Sequence, residues 1–132
     1  MNMTEHNEQV LKAHELAKVI ANALEDKKGV DISILEVGKQ TVLADYFVIC
    51  TGTSNTHVKA LANEAEFKTG EQLGIKPTRI EGFSNNIWTL MDYGTVIVHI
   101  FTKEGREFYK LEKLWKEAAA EVIDISDNNV TK

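Results

Sequence analysis

One six-residue run constrains the fold of this chain more than any other feature. Residues 46–51 (YFVICT) are apolar at nearly every position, whereas a strand with one face in water alternates apolar and polar side chains. The run therefore predicts a central strand that is buried on both faces. Gly52 ends the run, and Ser54 is the predicted N-cap of a helix that stops at Gly74. A buried strand followed at once by a helix favours an α/β fold with a parallel crossover.

The remaining elements follow from the spacing of apolar residues between glycine-containing turns. The chain begins with a helix that is capped by Asn7 or Thr4 and closed by Gly29, followed by strands at 31–37 and 46–51 and the helix after Ser54. Three strands follow, at 78–81, 87–91 and 95–101, with a turn at Asn85-Asn86 before the strand at 87–91. The last element is a helix from Phe108 to Val122. The last two strands flank Tyr93-Gly94 and form an antiparallel hairpin.

These elements predict one α/β domain over residues 1–132, with a mixed sheet of about five strands covered by helices. We expect an ordered core over about residues 7–123 and a polar tail over about 126–132. No repeat or linker divides the chain.

The charge balance argues against direct binding to nucleic acid. The chain carries 15 Lys and Arg against 20 Asp and Glu, a formal net charge of -5, and its arginines are Arg79 and Arg106. Nucleic-acid-binding domains usually present a basic face rich in arginine, so we expect neither sequence-specific binding nor a stand-alone RNA-binding domain. No run approaches the roughly 18 apolar residues of a membrane span, and the N-terminus lacks an apolar signal core. With Cys50 as a single buried thiol, we expect a cytoplasmic protein.

The sequence contains no complete catalytic motif. The Gly52-Thr53-Ser54 turn joins a strand to a helix N-terminus, where phosphates often bind. It lacks the lysine of a Walker loop and the second glycine of a dinucleotide motif, and no Asp-x-Asp or Asp-x-Glu pair on a predicted strand could hold magnesium. The four histidines show no metal-ligand spacing, and His99 lies in an apolar strand, where a structural role is more common. We predict no enzyme activity, cofactor or metal. The alternative is a nucleotidyltransferase-like nucleotide-binding protein or enzyme that uses this turn.

The aromatic residues are concentrated in the C-terminal half. Seven of the ten lie between Phe83 and Trp115. Such clustering is typical of a core, but Trp88 stands near a turn in a hairpin of mixed polarity. Trp and Tyr flanked by polar residues are favoured anchors of protein interfaces. The pattern alone leaves both a core role and an interface role open.

Three segments resemble the signatures of a known family. Residues 44–54 (ADYFVICTGTS), 88–101 (WTLMDYGTVIVHIF) and 106–115 (REFYKLEKLW) are similar, in order and spacing, to the motifs of the Iojap family, the ribosomal silencing factors. The resemblance extends from about Val10 to Trp115. It implies a single α/β domain that is distantly similar to nucleotidyltransferases but lacks their catalytic carboxylates.

The resemblance also implies a partner and a mechanism. A member of this family is expected to bind the large ribosomal subunit through ribosomal protein uL14. Bound there, it sterically blocks association with the small subunit and represses translation under nutrient limitation. A homodimer is a further property that the resemblance implies.

The residues expected to bind the partner come from the second and third segments. Trp88, Asp92 and Tyr93 are predicted to lie exposed beside a hairpin turn, with Trp88 as the anchor and Asp92 paired with a basic residue of the partner. His99 and Phe101 share a strand face and are expected to extend the patch. The full predicted partner-binding set is Trp88, Asp92, Tyr93, His99, Phe101, Arg106 and Tyr109.

Other residues of the three segments are predicted to be structural. Leu111 and Trp115 share a helical stripe with Phe108, which indicates a buried face. Asp45 and Ser54 flank the central strand and are expected to fix the turn into the second helix.

Overall fold

The apolar run over residues 46–51 lies in the second of six strands in the computed structural model, which describes residues 3–83, 87–118 and 122–124. The elements, in chain order, are α1 (Met3–Asp26), β1 (Val30–Glu36), β2 (Tyr46–Gly52), α2 (Asn55–Leu73), β3 (Arg79–Phe83), β4 (Trp88–Asp92), β5 (Val96–Thr102), α3 (Lys103–Tyr109), α4 (Leu111–Ala118) and β6 (Val122–Asp124). The five predicted strands and the first two predicted helices are present, and the structure adds a short sixth strand. The predicted turn at Asn85-Asn86 and the predicted tail over 126–132 lie outside the described residues.

Strands β2 and β5 form a parallel pair at the centre of the sheet. The strand order is β3-β4-β5-β2-β1-β6. β2 and β5 run in register from Tyr46 opposite Val96 to Gly52 opposite Thr102, and the other neighbouring strands pair antiparallel. Every residue of β2 is buried. The mixed α/β sheet is therefore confirmed, while the likeness to nucleotidyltransferases stays a prediction.

The first face of the sheet is covered by the two long helices. α1 and α2 pack on side chains that include Tyr46, Val48 and Cys50 of β2 and Ile100 of β5. Burial raises the pKa of the Cys50 thiol to about 12, so the thiol is protonated and buried, as the sequence predicts.

Within the described part of the chain, the helices cover much less of the second face. A cluster of Leu35, Val37, Ala44, Phe47, Ile49 and Phe101 lies on this side. Leu111 and Trp115 of α4 pack against it and are themselves only partly buried. Because α3 and α4 are 7 and 8 residues long, they cannot cover a face as wide as the one under α1 and α2. This side of the sheet therefore holds the candidate functional surface.

The ends of the second helix match the sequence analysis, and the start of the first does not. Ser54 caps α2 by accepting a hydrogen bond from the His57 amide at 3.0 Å, and Gly74 closes it in the left-handed conformation with φ 66°. α1 begins at Met3, so Thr4 and Asn7 are helical residues and the prediction that one of them caps α1 is wrong. Neither glycine nor proline interrupts this segment, so nothing in its backbone stops the helix from starting early.

The predicted single helix from Phe108 to Val122 is also wrong. Lys110 adopts the left-handed conformation, with φ 49° and ψ 39°, and separates α3 from α4. Val122 belongs instead to β6, which pairs with β1. The change of direction at Lys110 takes Phe108 off the stripe that it shares with Leu111 and Trp115 in a straight helix. None of the helices in the described part of the chain is long and apolar enough to cross a membrane.

Candidate partner-binding site

Four side chains where α3 meets the start of β4 form an apolar surface, which we call the aromatic surface: Ile87, Trp88, Phe108 and Tyr109. The Trp88 and Tyr109 rings lie 4.8 Å apart, and Phe108 meets Tyr109 edge-on at 5.0 Å. Phe108 is 79% exposed, whereas Trp88 is partly buried. Beside them, Ile87, Phe108 and Tyr109 line a shallow cavity of about 360 Å³ whose only charged lining residue, within the described chain, is Glu104. Exposed aromatic rings beside a cavity are characteristic of a protein-binding site.

The aromatic surface rests on a buried aromatic layer. Phe101 is fully buried and stacks with Trp88 at 5.3 Å. His99, 4% exposed, lies beside Phe101 on the same strand and meets Phe47 at 4.8 Å. Phe47 in turn contacts Trp115 of α4 at 5.1 Å. The rings thus form a continuous cluster from α4 to the surface, and such packing limits the movement of the Trp88 ring.

His99 and Trp88 are joined by a hydrogen bond. The indole Nε1–H of Trp88 donates to Nδ1 of His99 at 3.1 Å. Since a neutral imidazole carries one proton, its Nε2 must then be the protonated nitrogen. Nε2 is buried and has no hydrogen-bond partner among the described residues. Burial lowers the pKa of His99 to about 4, which keeps the ring neutral and Nδ1 available as an acceptor.

Arg106 fixes the bend between α3 and α4. Its Nε and Nη2 donate to the two carboxylate oxygens of Glu112 at 2.6 and 2.9 Å. Its Nη1 donates to the Asp31 carbonyl at 2.6 Å and to the Thr51 hydroxyl at 2.9 Å. The guanidinium therefore connects α3, α4 and the ends of β1 and β2. A bidentate arginine–carboxylate pair is geometrically specific, and this one sets where α3 lies.

Gly105 allows α3 to approach the start of β4. A Cβ at this position would overlap the Ile87 side chain and lie 2.7 Å from the Ile87 carbonyl oxygen. That same carbonyl accepts a hydrogen bond from the Thr102 amide at 2.9 Å. Because a backbone atom cannot move aside easily, only glycine permits this contact. The close approach brings Tyr109 within reach of Trp88.

The structure separates the seven residues that the sequence groups as partner-binding. Trp88 and Tyr109 lie in the aromatic surface, His99 and Phe101 lie beneath it, and Arg106 holds the helices that carry it. The expected exposed patch of His99 and Phe101 is therefore wrong, because both side chains are buried under the indole.

Asp92 and Tyr93 lie apart from the aromatic surface. Asp92 is four residues from Trp88 along β4, or roughly 13 Å. Its carboxylate accepts a hydrogen bond from the Gly94 amide at 2.8 Å and lies 3.6 Å from the Arg79 guanidinium. Tyr93 is 8% exposed, belongs to the core cluster on the first face and hydrogen-bonds Thr69 at 3.0 Å. Its predicted exposure is wrong, because the side chain turns under α2 instead of outward.

Sequence reasoning missed Phe108 and Ile87 as surface residues. The helical stripe that Phe108 shares with Leu111 and Trp115 predicts a core position, which is wrong because Phe108 is exposed. The signal that could have revealed it is the glycine at 105, which lies within α3 and allows this helix to pack closely against Ile87.

The turn after β2 forms a second concave site. A cleft of about 690 Å³ lies at the carboxyl ends of β2 and β5, lined by Gly52, Thr53, Lys103 and Arg106 among others. One backbone donor of the turn is engaged internally, because the Thr53 amide donates to Nδ1 of His57 at 2.8 Å. Nε2 of His57 then donates to the Lys27 carbonyl at 2.7 Å. Among the described residues, no group of three His, Cys, Asp or Glu side chains is arranged to hold a metal ion.

Comparison with known proteins identifies the family. The family described as "Ribosomal silencing factor during starvation" matches residues 10–132. The chain belongs to the ribosomal silencing factor family. The ribosomal silencing factor of Bacillus subtilis is 40% identical over 113 residues, which cover 86% of this chain and 95% of that protein.

Two further relatives extend the comparison. A crystal structure of a protein from Chromobacterium violaceum is 40% identical and superposes with a TM-score of 0.74, covering 78% of this chain and 85% of that one. A mouse relative, named mitochondrial assembly of ribosomal large subunit protein 1, is 32% identical over 100 residues. These cover 74% of this chain and 43% of the mouse protein. The resemblance inferred from the three sequence segments is therefore confirmed.

Removing the Arg106 clamp is expected to destabilise the fold. Arg106→Met removes the guanidinium from the partly buried carboxylate of Glu112, which should lower the free energy of unfolding by about 3 kcal/mol. Lys68→Met is the matched control, because Lys68 and Glu71 form a surface pair at 4.0 Å that contributes less than about 0.5 kcal/mol. Urea denaturation measures both. Equal losses in the two variants would contradict the assigned role of Arg106.

The low pKa of His99 predicts a loss of stability in acid. Between pH 6.5 and about 4 the unfolded chain binds a proton at His99 that the folded chain does not. The free energy of unfolding should therefore fall as pH falls through this window, by about 3 kcal/mol at pH 4, and this contribution should then level off. Urea denaturation at several pH values measures the slope. His99→Leu is the control, and an unchanged slope in that variant would contradict the prediction.

Proposed function

We propose that this protein silences ribosomes by binding the large ribosomal subunit through ribosomal protein uL14. Membership of the family supports the silencing role. The name of the mouse relative, which refers to assembly of the ribosomal large subunit, supports the choice of subunit. The protein acts as a binding protein in the cytoplasm, with no catalytic step and no cofactor.

The observation that carries this proposal is the exposure of the aromatic surface. An exposed phenylalanine such as Phe108 contributes little to folding but can contribute strongly to a protein interface. The ring lies beside Trp88 and Tyr109, which are packed in fixed positions and so lose little conformational freedom when a partner binds. Rigid aromatic side chains beside a shallow cavity suit a folded protein partner.

The charge of the protein fits a basic partner. The net charge is -5, and Glu104 lines the cavity of the aromatic surface. Negative charge accelerates the encounter with a basic partner, and it disfavours contact with the phosphate backbone of RNA. We therefore propose that a basic ribosomal protein, rather than ribosomal RNA, supplies the main contact.

The size of the protein is sufficient for it to block association of the two ribosomal subunits. A folded chain of 132 residues has a radius of gyration of about 14 Å. Once bound to the face of the large subunit that the small subunit must approach, a body of this size holds the two apart. The block needs no conformational change in the ribosome.

A pair of phenylalanines tests the docking surface. Phe108→Ser should weaken co-sedimentation with purified large subunits by 10- to 100-fold, because an interface anchor typically contributes about 1–3 kcal/mol. Phe67→Ser is the matched control, since Phe67 is 58% exposed on α2, on the opposite face of the sheet. Both changes remove one exposed ring. Equal binding by the two variants would exclude the aromatic surface as the docking site.

The silencing mechanism needs a second readout. Small subunits are added to large subunits already loaded with the protein, and 70S formation is followed by sucrose-gradient sedimentation. We expect loading to suppress association in the wild type and not in Phe108→Ser. Binding without suppression would retain the partner and remove the steric mechanism. Homodimerisation stays a prediction, which analytical ultracentrifugation of the protein alone tests.

Nucleotide binding is the second candidate, and the cleft beside Gly52 is the observation that favours it. Such a cleft lies where ligands bind in α/β sheets, at the carboxyl ends of parallel strands. Against it, His57 engages the Thr53 amide and Glu112 engages Arg106, so a phosphate would have to displace existing bonds.

Calorimetry separates the two candidates. Titration of the protein with ATP or GTP and magnesium should give no measurable heat of binding at millimolar nucleotide. Saturable binding that is lost in Lys103→Glu, a substitution on the rim of the cleft, would instead favour the nucleotide-binding candidate. The same variant should bind large subunits as the wild type does.

A further inference from the structure

We infer that His99 is a positioning residue that fixes the Trp88 indole in the aromatic surface, so that the partner meets the ring's hydrocarbon and not its N–H. This inference rests on the proposed function, since it assumes that the aromatic surface is where the partner binds. It assigns a role to a histidine that the sequence places among the contact residues.

The strand register brings the two rings together. Trp88 pairs with Phe101 and His99 pairs with Leu90 across β4 and β5, so Trp88 and His99 are diagonal neighbours on one face of the sheet. The Nε1 to Nδ1 distance of 3.1 Å is that of a direct hydrogen bond. Stacking on Phe101 at 5.3 Å limits tilting of the indole, and the hydrogen bond sets its rotation within the plane of the stack.

The second nitrogen of His99 gives an independent reason for this assignment. Nε2 is buried and has no partner among the described residues, and a buried N–H without an acceptor destabilises a fold. An apolar side chain of similar volume would pack in this site without that loss. The imidazole therefore contributes through Nδ1, which accepts the hydrogen bond from the Trp88 indole.

The hydrogen bond between Trp88 and His99 also determines which part of the indole a partner can contact. An indole has a single hydrogen-bond donor, and in Trp88 that donor points inward to His99. The exposed part of the ring is hydrocarbon, and it adjoins Tyr109, which in turn contacts the Phe108 ring. The complementary surface on the partner is thus an apolar pocket, and its polar contacts lie at the rim, near Glu104.

The first test needs no substitution. In ¹⁵N-labelled full-length protein near neutral pH, long-range ¹H–¹⁵N correlations report which imidazole nitrogen carries the proton. We expect His99 as the Nε2–H tautomer and a slowly exchanging Trp88 indole N–H. A His99 protonated at Nδ1 would overturn the inference, because that nitrogen could not accept from Trp88.

Two variants then separate positioning from packing. His99→Leu keeps an apolar volume and removes the acceptor, and His99→Gln provides an amide oxygen as a replacement acceptor. We expect indole exchange to accelerate at least tenfold in His99→Leu, and large-subunit binding to weaken about tenfold. In His99→Gln both should recover to within about threefold of the wild type. A purely structural role for His99 would not produce this rescue.

The outcomes distinguish this inference from the proposed function. An indole signal unchanged in His99→Leu overturns the inference whatever the ribosome assay shows. A changed indole signal in His99→Leu that is accompanied by wild-type binding to large subunits also overturns the inference. In that case the proposed docking surface still stands if Phe108→Ser loses binding. If the wild type itself fails to bind large subunits, the proposed function fails, and the docking role of His99 fails with it.

Discussion

The parallel pairing of β2 with β5 is the constraint on which the rest of the molecule depends. A strand buried on both faces requires a layer on each side of the sheet. α1 and α2 supply a full layer on the first face, and the short helices α3 and α4 supply a partial one on the second. The partial layer leaves Phe108 exposed, with Trp88 and Tyr109 beside it. The proposed docking surface is thus a consequence of unequal cover over one central pair of strands.

A few polar contacts determine how that partial layer is arranged. Arg106 binds Glu112 and the ends of β1 and β2, while Gly105 lets the backbone of α3 press against Ile87. Arg106 acts through its charge and Gly105 through its lack of a side chain, and both fix the position of α3. Together they hold a seven-residue helix that could not be stable alone. Arg106 in the third sequence segment thus supports the aromatic surface, whereas Phe108 and Tyr109 of the same segment form part of it.

The family resemblance indicates the function, and the geometry indicates the role of each motif residue. The motifs point to the ribosome, whereas the structure sorts the motif residues into layers: Trp88 and Tyr109 outside, His99 and Phe101 beneath. His57 and Ser54 have a comparable structural role at the turn after β2, where they occupy backbone donors that a phosphate would use. The acidic balance of the chain agrees with a basic protein as the partner.

Much of the fold could be predicted from local pattern. The buried run over 46–51, the Ser54 cap and the Tyr93-Gly94 hairpin are decided by residues close in sequence, and the structure confirms each of them. The bend at Lys110 could not be predicted in this way. It depends on Arg106 reaching Glu112, Asp31 and Thr51, contacts that span up to 75 residues.

Local sequence patterns were enough to establish the α/β class, the two-sided burial of β2 and, through three segments, the resemblance to the family. Contacts between distant segments determine which side chains of these three segments face outward. Periodicity specifies which side of a strand or straight helix a residue occupies, but not how far a neighbouring element covers that side. His99 and Phe101 are buried because Trp88 and α3 lie over them. Phe108 is exposed because the chain turns at Lys110, and both facts arise from contacts between distant segments.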